Sequence, residues 1–353
     1  MTGADFVYGN TRLRARLPAL LGRQDLERLL TLDGDGLLGE LSRTPYAPEV
    51  QAEAARRRMP GSLHRAITRH LARSLLELRS FYDGPARDVV DLLLRRWDLH
   101  NLLVLVRAHA RRRPDQDAAA ALVPLGGLDQ PTAAELGRQR EPAAAVERLV
   151  AWRLPSPELA AALGRGWAAY ERDEDLPTLE WRLATAAFES LLERARELGG
   201  TADPVADTVR REVDLRNAMA VLRAAGEPRQ DSESLRVVPA GTLSQAALAA
   251  AAREDGAADA ARRLASVPAA RRWRATLERF AHEGEDLAGL EGELEAVAAA
   301  AARRDLRAGD PLGAAVPAAF TLLKELEARN LRIVAEAATG GDVQALADEL
   351  VTA

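Results

Sequence analysis

RWDLHNLLVLVRA, residues 96–108, recurs twice further along the chain, and the three copies align without gaps. The second copy is EVDLRNAMAVLRA, residues 212–224, and the third is ELEARNLRIVAEA, residues 325–337. Apolar residues recur in each copy at spacings of three and four, which is typical of one buried face of an α-helix. The repetition therefore predicts three equivalent helical units in one chain.

Each copy places an acidic residue three positions before an asparagine. The pairs are Asp98 with Asn101, Asp214 with Asn217, and Glu327 with Asn330. The chain holds one other asparagine, Asn10, so chance placement of three of the four in one context is improbable. On a helix each motif asparagine lies in the middle of an apolar i, i+4, i+8 stripe, where an unpaired amide costs stability.

Two interpretations of this structural repeat motif remain open. The first is a repeated hydrogen bond in the core that fixes the register of neighbouring helices. The acid would then accept a hydrogen bond from the asparagine amide or from a facing helix. The second is a binding site for a small molecule or an ion. Under the first interpretation, leucine in place of any of the three asparagines loosens the protein.

A second element repeats in register with the first. It reads VPLGGLD in residues 123–129 and VPAGTLS in residues 238–244, and its last residue suits the N-cap of a following helix. We expect no third copy, because the sequence ends 23 residues after Asn330, near the place where that copy would fall. A weaker echo pairs LPTLEWRL, from Leu176, with LAGLEGEL, from Leu287.

The rest of the chain favours an all-α fold. Alanine, leucine, arginine and glutamate fill the segments between the apolar positions, and alternating β-branched runs are nearly absent. Proline and glycine breaks fall at residues 83–85, 113–115, 226–228 and 309–311. A chain of 353 residues exceeds one usual core. We therefore predict three helical repeat domains: residues 1–115, 116–229 and 230–353.

Composition excludes several classes of function. The formal net charge of −5 gives no electrostatic reason to expect a nucleic-acid partner. With no cysteine, the chain has no disulfide, thiolate zinc site or cysteine nucleophile. The longest uninterrupted apolar run, residues 296–302, is far shorter than the roughly 20 residues that span a bilayer. We expect any membrane association to go through a partner, with no direct membrane span.

Candidate chemical sites are weak. Residues 34–39 form a literal GxGxxG, but the preceding DLERLLTL predicts a helix rather than the strand that a dinucleotide site needs, so a turn between helices is expected. The one lysine, Lys324, follows no glycine loop, which excludes a P-loop. No histidine pair has metal-binding helical spacing. We therefore predict no catalytic residues, no metal site and no cofactor.

Two arginine runs, residues 56–58 and 111–113, allow two interpretations. Such runs are usually a solvated face or a helix C-terminus, where cations suit the helix dipole. The alternative is docking onto an acidic partner.

Several stretches together resemble one known family. They are YGNTRLR in residues 8–14, FYDGPAR in residues 81–87, RWDLHNL in residues 96–102 and LEARNLR in residues 326–332. With the acid-x-x-Asn pattern near the end of each third, the chain resembles the C subunits of the V/A-type rotary ATPases, which are relatives of the eukaryotic V-ATPase d subunits.

The resemblance implies a funnel of three similar helical domains around a pseudo-threefold axis. Such proteins are non-catalytic and lie at the cytoplasmic face of the membrane. They join the central shaft subunits to the membrane proteolipid ring, and they couple proton or sodium transport to ATP hydrolysis or synthesis. The alternative is a helical repeat scaffold for protein–protein interaction that is unrelated to rotary ATPases. An enzyme has the least support.

Overall fold

The computed structural model describes residues 5–54, 59–110, 121–137, 139, 141–226, 235–284 and 286–351. Within these ranges the regular structure is helical, with no strand, which confirms the all-α prediction. The described α-helices are α1 Val7–Arg14, α2 Arg23–Leu30, α3 Gly34–Leu41, α4 Ala47–Ala54, α5 Gly61–Arg79, α6 Gly84–Leu94, α7 Arg96–Ala110, α8 Gln130–Gly137, α9 Pro142–Trp152, α10 Pro157–Asp173, α11 Leu176–Leu198, α12 Asp203–Ala224, α13 Gln245–Ala252, α14 Ala257–Ala265, α15 Arg274–Glu283, α16 Leu287–Ala308, α17 Ala315–Ala337 and α18 Val343–Asp348.

Helix starts follow the local sequence signals. Asp129 accepts a hydrogen bond from the Thr132 N–H at 2.9 Å, and Ser244 accepts one from the Ala247 N–H at 3.2 Å, so both predicted N-caps are confirmed. The two echo segments each begin a long helix, α11 and α16. An aspartate caps each of them, Asp175 in one and Asp286 in the other.

The breaks at residues 83–85 and 309–311 separate α5 from α6 and α16 from α17. The break at residues 113–115, residues 227 and 228 of the break at 226–228, and both arginine runs lie outside the described residues. The proposed domain boundaries after residues 115 and 229 fall in the same gaps. The division into three domains therefore stays a prediction.

The GxGxxG stretch forms the beginning of α3. Asp33 caps this helix by accepting a hydrogen bond from the Gly36 N–H at 2.8 Å, and the element before it is the helix α2. A phosphate-binding turn of the dinucleotide type follows a strand, so this stretch lacks the context that such a site needs. The predicted turn between helices is wrong for residues 34–39, because the cap by Asp33 starts the helix directly at Gly34.

The three copies of the motif lie on α7, α12 and α17. Helix α7 packs against α11, and α12 packs against α16. Helix α17 packs against α16 and also against α5, α1 and α2, near the beginning of the chain. The largest buried cluster accordingly includes Phe6 and Val351, so the two ends of the described chain share one core.

Asn10, the asparagine outside the motif, helps to join those ends. Its Nδ2 donates to the carbonyls of Pro311 and Gly313 at 2.8 and 3.0 Å, just before α17, and its Oδ1 accepts from the Tyr82 hydroxyl at 2.8 Å. Gly9 lies against the Tyr82 ring, and a Cβ at this position would come within 3.0 Å of three ring atoms. The YGN and FYD segments of the family resemblance therefore contact each other.

We predict that Gly9→Ala lowers the midpoint of thermal unfolding, because Tyr82 is buried and held by its bond to Asn10 and cannot make room. Overpacking of this kind costs about 1–3 kcal/mol. Gly39→Ala is the matched control, since Gly39 is also helical but no atom lies within 4 Å of the added Cβ. It should leave the midpoint unchanged or raise it, because alanine favours helix over glycine. Equal midpoints for the two variants would contradict this packing.

Candidate functional site

The three motif asparagines are the most regular polar feature of the core. Asn101, Asn217 and Asn330 are 0%, 1% and 2% exposed, and each lies among apolar residues of its helix. A buried carboxamide without partners would be strongly unfavourable, so the hydrogen-bond partners of each asparagine decide what the motif does.

Each asparagine binds both backbone polar groups of a single valine. Asn101 donates to the Val123 carbonyl and accepts from the Val123 N–H, both at 2.8 Å. Asn217 makes the same two bonds to Val238, again at 2.8 Å. We call this arrangement the asparagine clamp. It joins a motif helix to a non-helical segment 22 or 21 residues later, and it satisfies four buried polar groups at once.

The third clamp uses a valine that the sequence comparison missed. Asn330 donates to the Val351 carbonyl at 2.8 Å and accepts from the Val351 N–H at 3.0 Å, at a separation of 21 residues. A third copy of the VPxGxL element is not expected from the sequence. Val351 nevertheless makes the two bonds that the first valine of that element makes in the other copies. The spacing from asparagine to valine was the signal that could have found it. The interpretation as a repeated core hydrogen bond thus has a specific geometry in all three copies.

The first two motif acids, Asp98 and Asp214, bind the turn after the clamped valine rather than the asparagine amide, and Asp214 also accepts a bond from Arg272 on a neighbouring 3-10 helix. Asp98 accepts from the Gly127 N–H at 2.8 Å. Asp214 accepts from the Thr242 and Leu243 N–H groups at 2.7 and 2.9 Å.

These bonds explain the glycine of the VPxG element. A Cβ at Gly126 or at Gly241 would collide with the carboxylate that the turn surrounds. Gly126 also has φ of +72°, in the left-handed region that favours glycine. The carboxylate and the glycine turn therefore form one unit with the clamp.

The third acid has other partners, which come from the N-terminal part of the chain. Glu327 accepts from the Leu21 N–H at 2.8 Å and from the Tyr46 hydroxyl at 2.6 Å. It also forms an ion pair with Lys324, the one lysine of the chain, which is 4% exposed. This copy of the motif therefore ties α17 to two segments that lie about 300 residues earlier.

The three acids differ in their compensating charge. Asp214 is paired with Arg272 at 2.6 Å, and Glu327 is paired with Lys324. Among the described residues, no cation forms an ion pair with Asp98. Burial raises the pKa of Asp98 to about 7, although the Gly127 N–H and the field of Arg95 act to lower it. The first copy thus holds a carboxyl group that takes up a proton near neutral pH.

The clamps leave little room for a ligand. Each carboxamide already uses one N–H and one oxygen lone pair on a valine and is at most 2% exposed, so it offers a small molecule almost no accessible surface. The cavity beside Glu327, Asn330 and Val351 has a volume of about 20 Å³, which suits about one water molecule. In the described ranges, no group of three or more histidine, aspartate or glutamate residues could hold a metal ion.

We predict that the stability of the Asp98→Asn variant, relative to that of the unchanged chain, increases as the pH rises. The Asp98 pKa is raised from 3.8 to about 7, so between these values the folded chain holds a proton that the unfolded chain has lost. The stability from this proton is full at low pH and is lost as the pH rises through 7. The free energy of unfolding of the variant, relative to the unchanged chain, should increase by about 1 kcal/mol or more from pH 5 to pH 8. Urea titrations at both pH values measure it.

Asp214→Asn is the matched control, because its carboxylate already has Arg272 as a partner. This variant should lose stability at both pH values, since Arg272 is left without its carboxylate. A stability difference for Asp98→Asn that does not change with pH would show that the Asp98 carboxyl is not protonated in the folded chain.

Comparison with known proteins agrees with the sequence resemblance. The family described as ATP synthase (C/AC39) subunit matches residues 9–346. The V-type ATP synthase C subunit of Thermus thermophilus is 32% identical over 222 residues, which cover 63% of this chain and 64% of the relative. The matched part therefore spans slightly less than two thirds of that relative's length.

Two more distant relatives extend the match. The V-type ATP synthase C subunit of Deinococcus radiodurans is 26% identical over 223 residues, which are 63% of this chain and 61% of the relative. The A-type ATP synthase C subunit of Haloferax volcanii is 25% identical over 357 residues, which are 99% of this chain and 98% of the relative. Because the family match spans residues 9–346, which include Asn101, Asn217 and Asn330, the chain belongs to the ATP synthase (C/AC39) subunit family, the C subunits of V/A-type ATP synthases.

Proposed function

We propose that this chain is the non-catalytic adaptor of a V/A-type rotary ATPase. In this role it joins the central shaft subunits to the membrane proteolipid ring and passes torque between them. The transport of protons or sodium ions is thereby linked to ATP hydrolysis or synthesis. The single observation that carries the proposal is the family match over residues 9–346.

The packing of the described chain suits the transmission of torque. A part that passes torque must resist shear, and close-packed helices joined by buried hydrogen bonds are stiff. The three clamps fix each motif helix to a later segment of the chain. In addition, Asn10 and Glu327 join the N-terminal helices to α17 and to the segment before it. A load on one end of the chain would therefore reach the other end through the core.

The proposed role needs neither catalysis nor a cofactor, and the residues that carry the candidate chemistries have structural partners. Lys324 is buried in its ion pair with Glu327, and its Nζ lies over the Tyr46 ring, 4.9 Å from the ring centroid. The GxGxxG stretch is helical and capped by Asp33. These observations support an adaptor that binds no nucleotide.

We propose a peripheral position at the cytoplasmic face of the membrane, reached through the ring. In the part of the chain that the structure describes, no helix combines the length and the apolar character needed to cross a bilayer. The contact with the membrane would then be made by the proteolipid ring.

The alternative, a helical repeat scaffold, is less well supported. In a solenoid each repeat contacts only its neighbours along the chain, so the two ends lie far apart. Here α17 packs against α1, α2 and α5, and the first and last described segments share a core. This contact between the two ends of the described chain favours a closed ring of repeats over an open solenoid.

Co-purification tests the proposal. A tagged form of the chain, extracted with mild detergent from the membranes of its source cells, should recover both the proteolipid ring and the shaft subunits. The Gly39→Ala variant is a suitable positive control, because it changes a helical position with no neighbouring atoms. Recovery of other partners without the ring and without the shaft would contradict the proposal and favour the scaffold.

A further inference from the structure

Three residues at the same position of the repeated motif contact one another. Arg96, Glu212 and Glu325 each stand five residues before their motif asparagine, at the first position of the three aligned segments. Arg96 Nη2 lies 2.7 Å from Glu212 Oε2 and 3.4 Å from Glu325 Oε2, and Arg96 Nε donates to Glu212 at 2.9 Å. The contacts join residues 116 and 229 positions apart in sequence.

Contact between equivalent positions has a geometric meaning. When similar units are arranged around an axis, equivalent atoms move apart in proportion to their distance from that axis. Side chains at one motif position can therefore meet only where the three helices converge. Glu212 and Glu325 both reach Arg96, so the beginning of α7 and the corresponding parts of α12 and α17 lie at such a point.

The cluster is largely shielded from solvent. The side chains of Arg96 and Glu325 are 11% and 19% exposed, and that of Glu212 is 40% exposed. Burial acts to lower the pKa of Arg96, but the two carboxylates outweigh it and raise this pKa. Burial also raises the pKa of Glu325, and the Arg96 charge opposes that effect. One cation thus holds together two carboxylates that would otherwise repel each other across two helices.

The clamps and this cluster hold different parts of the molecule. Each clamp joins a motif helix to a segment only 21 or 22 residues later, so it acts between neighbouring segments of the chain. The ion cluster joins the three motif helices to one another. Buried ion pairs often add little net stability, but they restrict which arrangement of helices is allowed. Removal of the Arg96 charge should therefore leave the clamps intact but allow the three motif helices to change their angles relative to one another.

We infer that Arg96, Glu212 and Glu325 form an ion lock that fixes the angles between the three motif helices, with Arg96 as the residue that positions the other two. The lock is a property of the folded chain alone. Its use in passing torque between shaft and ring rests on the proposed function.

The natural absence of cysteine makes the lock directly measurable by spin labelling. Pairs of cysteines can be placed at Glu147 on α9, Arg263 on α14 and Leu76 on α5, which are all exposed. Pulsed electron–electron double resonance then gives three distances between helices that pack on α7, α12 and α17, respectively. In Arg96→Met at least one of the three distance distributions should broaden about twofold or shift.

Arg223→Met is the matched control, because Arg223 is paired with Glu291 on the packed neighbour α16 and is more exposed. Its distributions should stay unchanged.

A permuted variant gives the sharper test. Arg96→Glu combined with Glu325→Arg keeps one cation and two carboxylates but moves the cation to another repeat. If the three positions are equivalent, this variant should restore the original distributions, even if Arg96→Met folds poorly. Unchanged distances in Arg96→Met, or distributions in the permuted variant as broad as those in Arg96→Met, would overturn the inference.

A measurement of ion pumping in membranes distinguishes failure of the lock from failure of the proposed function. In the reassembled rotary complex, Arg96→Met should lower the number of ions pumped per ATP hydrolysed at least twofold, and the permuted variant should recover it. Equal pumping ratios for the unchanged chain and Arg96→Met would show that torque does not depend on the lock. Failure of the unchanged chain to enter the complex would refute the proposed function, whereas the distance measurements would still decide on the lock.

Discussion

The structure depends on one repeated interaction, the pairing of an asparagine carboxamide with the backbone of a single valine. The pair has two hydrogen bonds of 2.8–3.0 Å and occurs at Asn101, Asn217 and Asn330. It brings a non-helical segment into an all-helical core without leaving buried backbone groups unpaired, which would be costly. A hydrophobic side chain could fill the same space but could not make these bonds. The asparagine is therefore needed for its shape and its paired donor and acceptor.

Local signals in the sequence predicted a large part of this arrangement. The three motif helices, the N-caps at Asp129 and Ser244, and the breaks around Pro85 and Pro311 all follow from residues close together in the chain. The burial of the three asparagines also followed, because each lies in the middle of an apolar stripe. Helical periodicity and capping act over a few residues, so one sequence is enough to detect them.

The long-range partners could not be predicted in the same way. The partners of Glu327 include Leu21 and Tyr46, about 300 residues earlier, and the contacts of Arg96 bridge two other repeats. No local pattern specifies which distant backbone group meets a given carboxylate. Val351 was missed because only one residue of its element is repeated. The domain boundaries fall outside the described residues and remain predictions, as does the pseudo-threefold axis that the ion lock supports.

The asparagine clamps make one claim that can be tested at single atoms. Native-state hydrogen exchange, followed by nuclear magnetic resonance, measures how often the N–H groups of Val123, Val238 and Val351 are exposed to solvent. We predict that all three exchange slowly, and that leucine in place of Asn101, Asn217 or Asn330 speeds exchange at its own valine by about tenfold or more. If any of the three valines exchanges as fast in the unchanged protein as in its leucine variant, the clamp in that repeat does not hold the fold together.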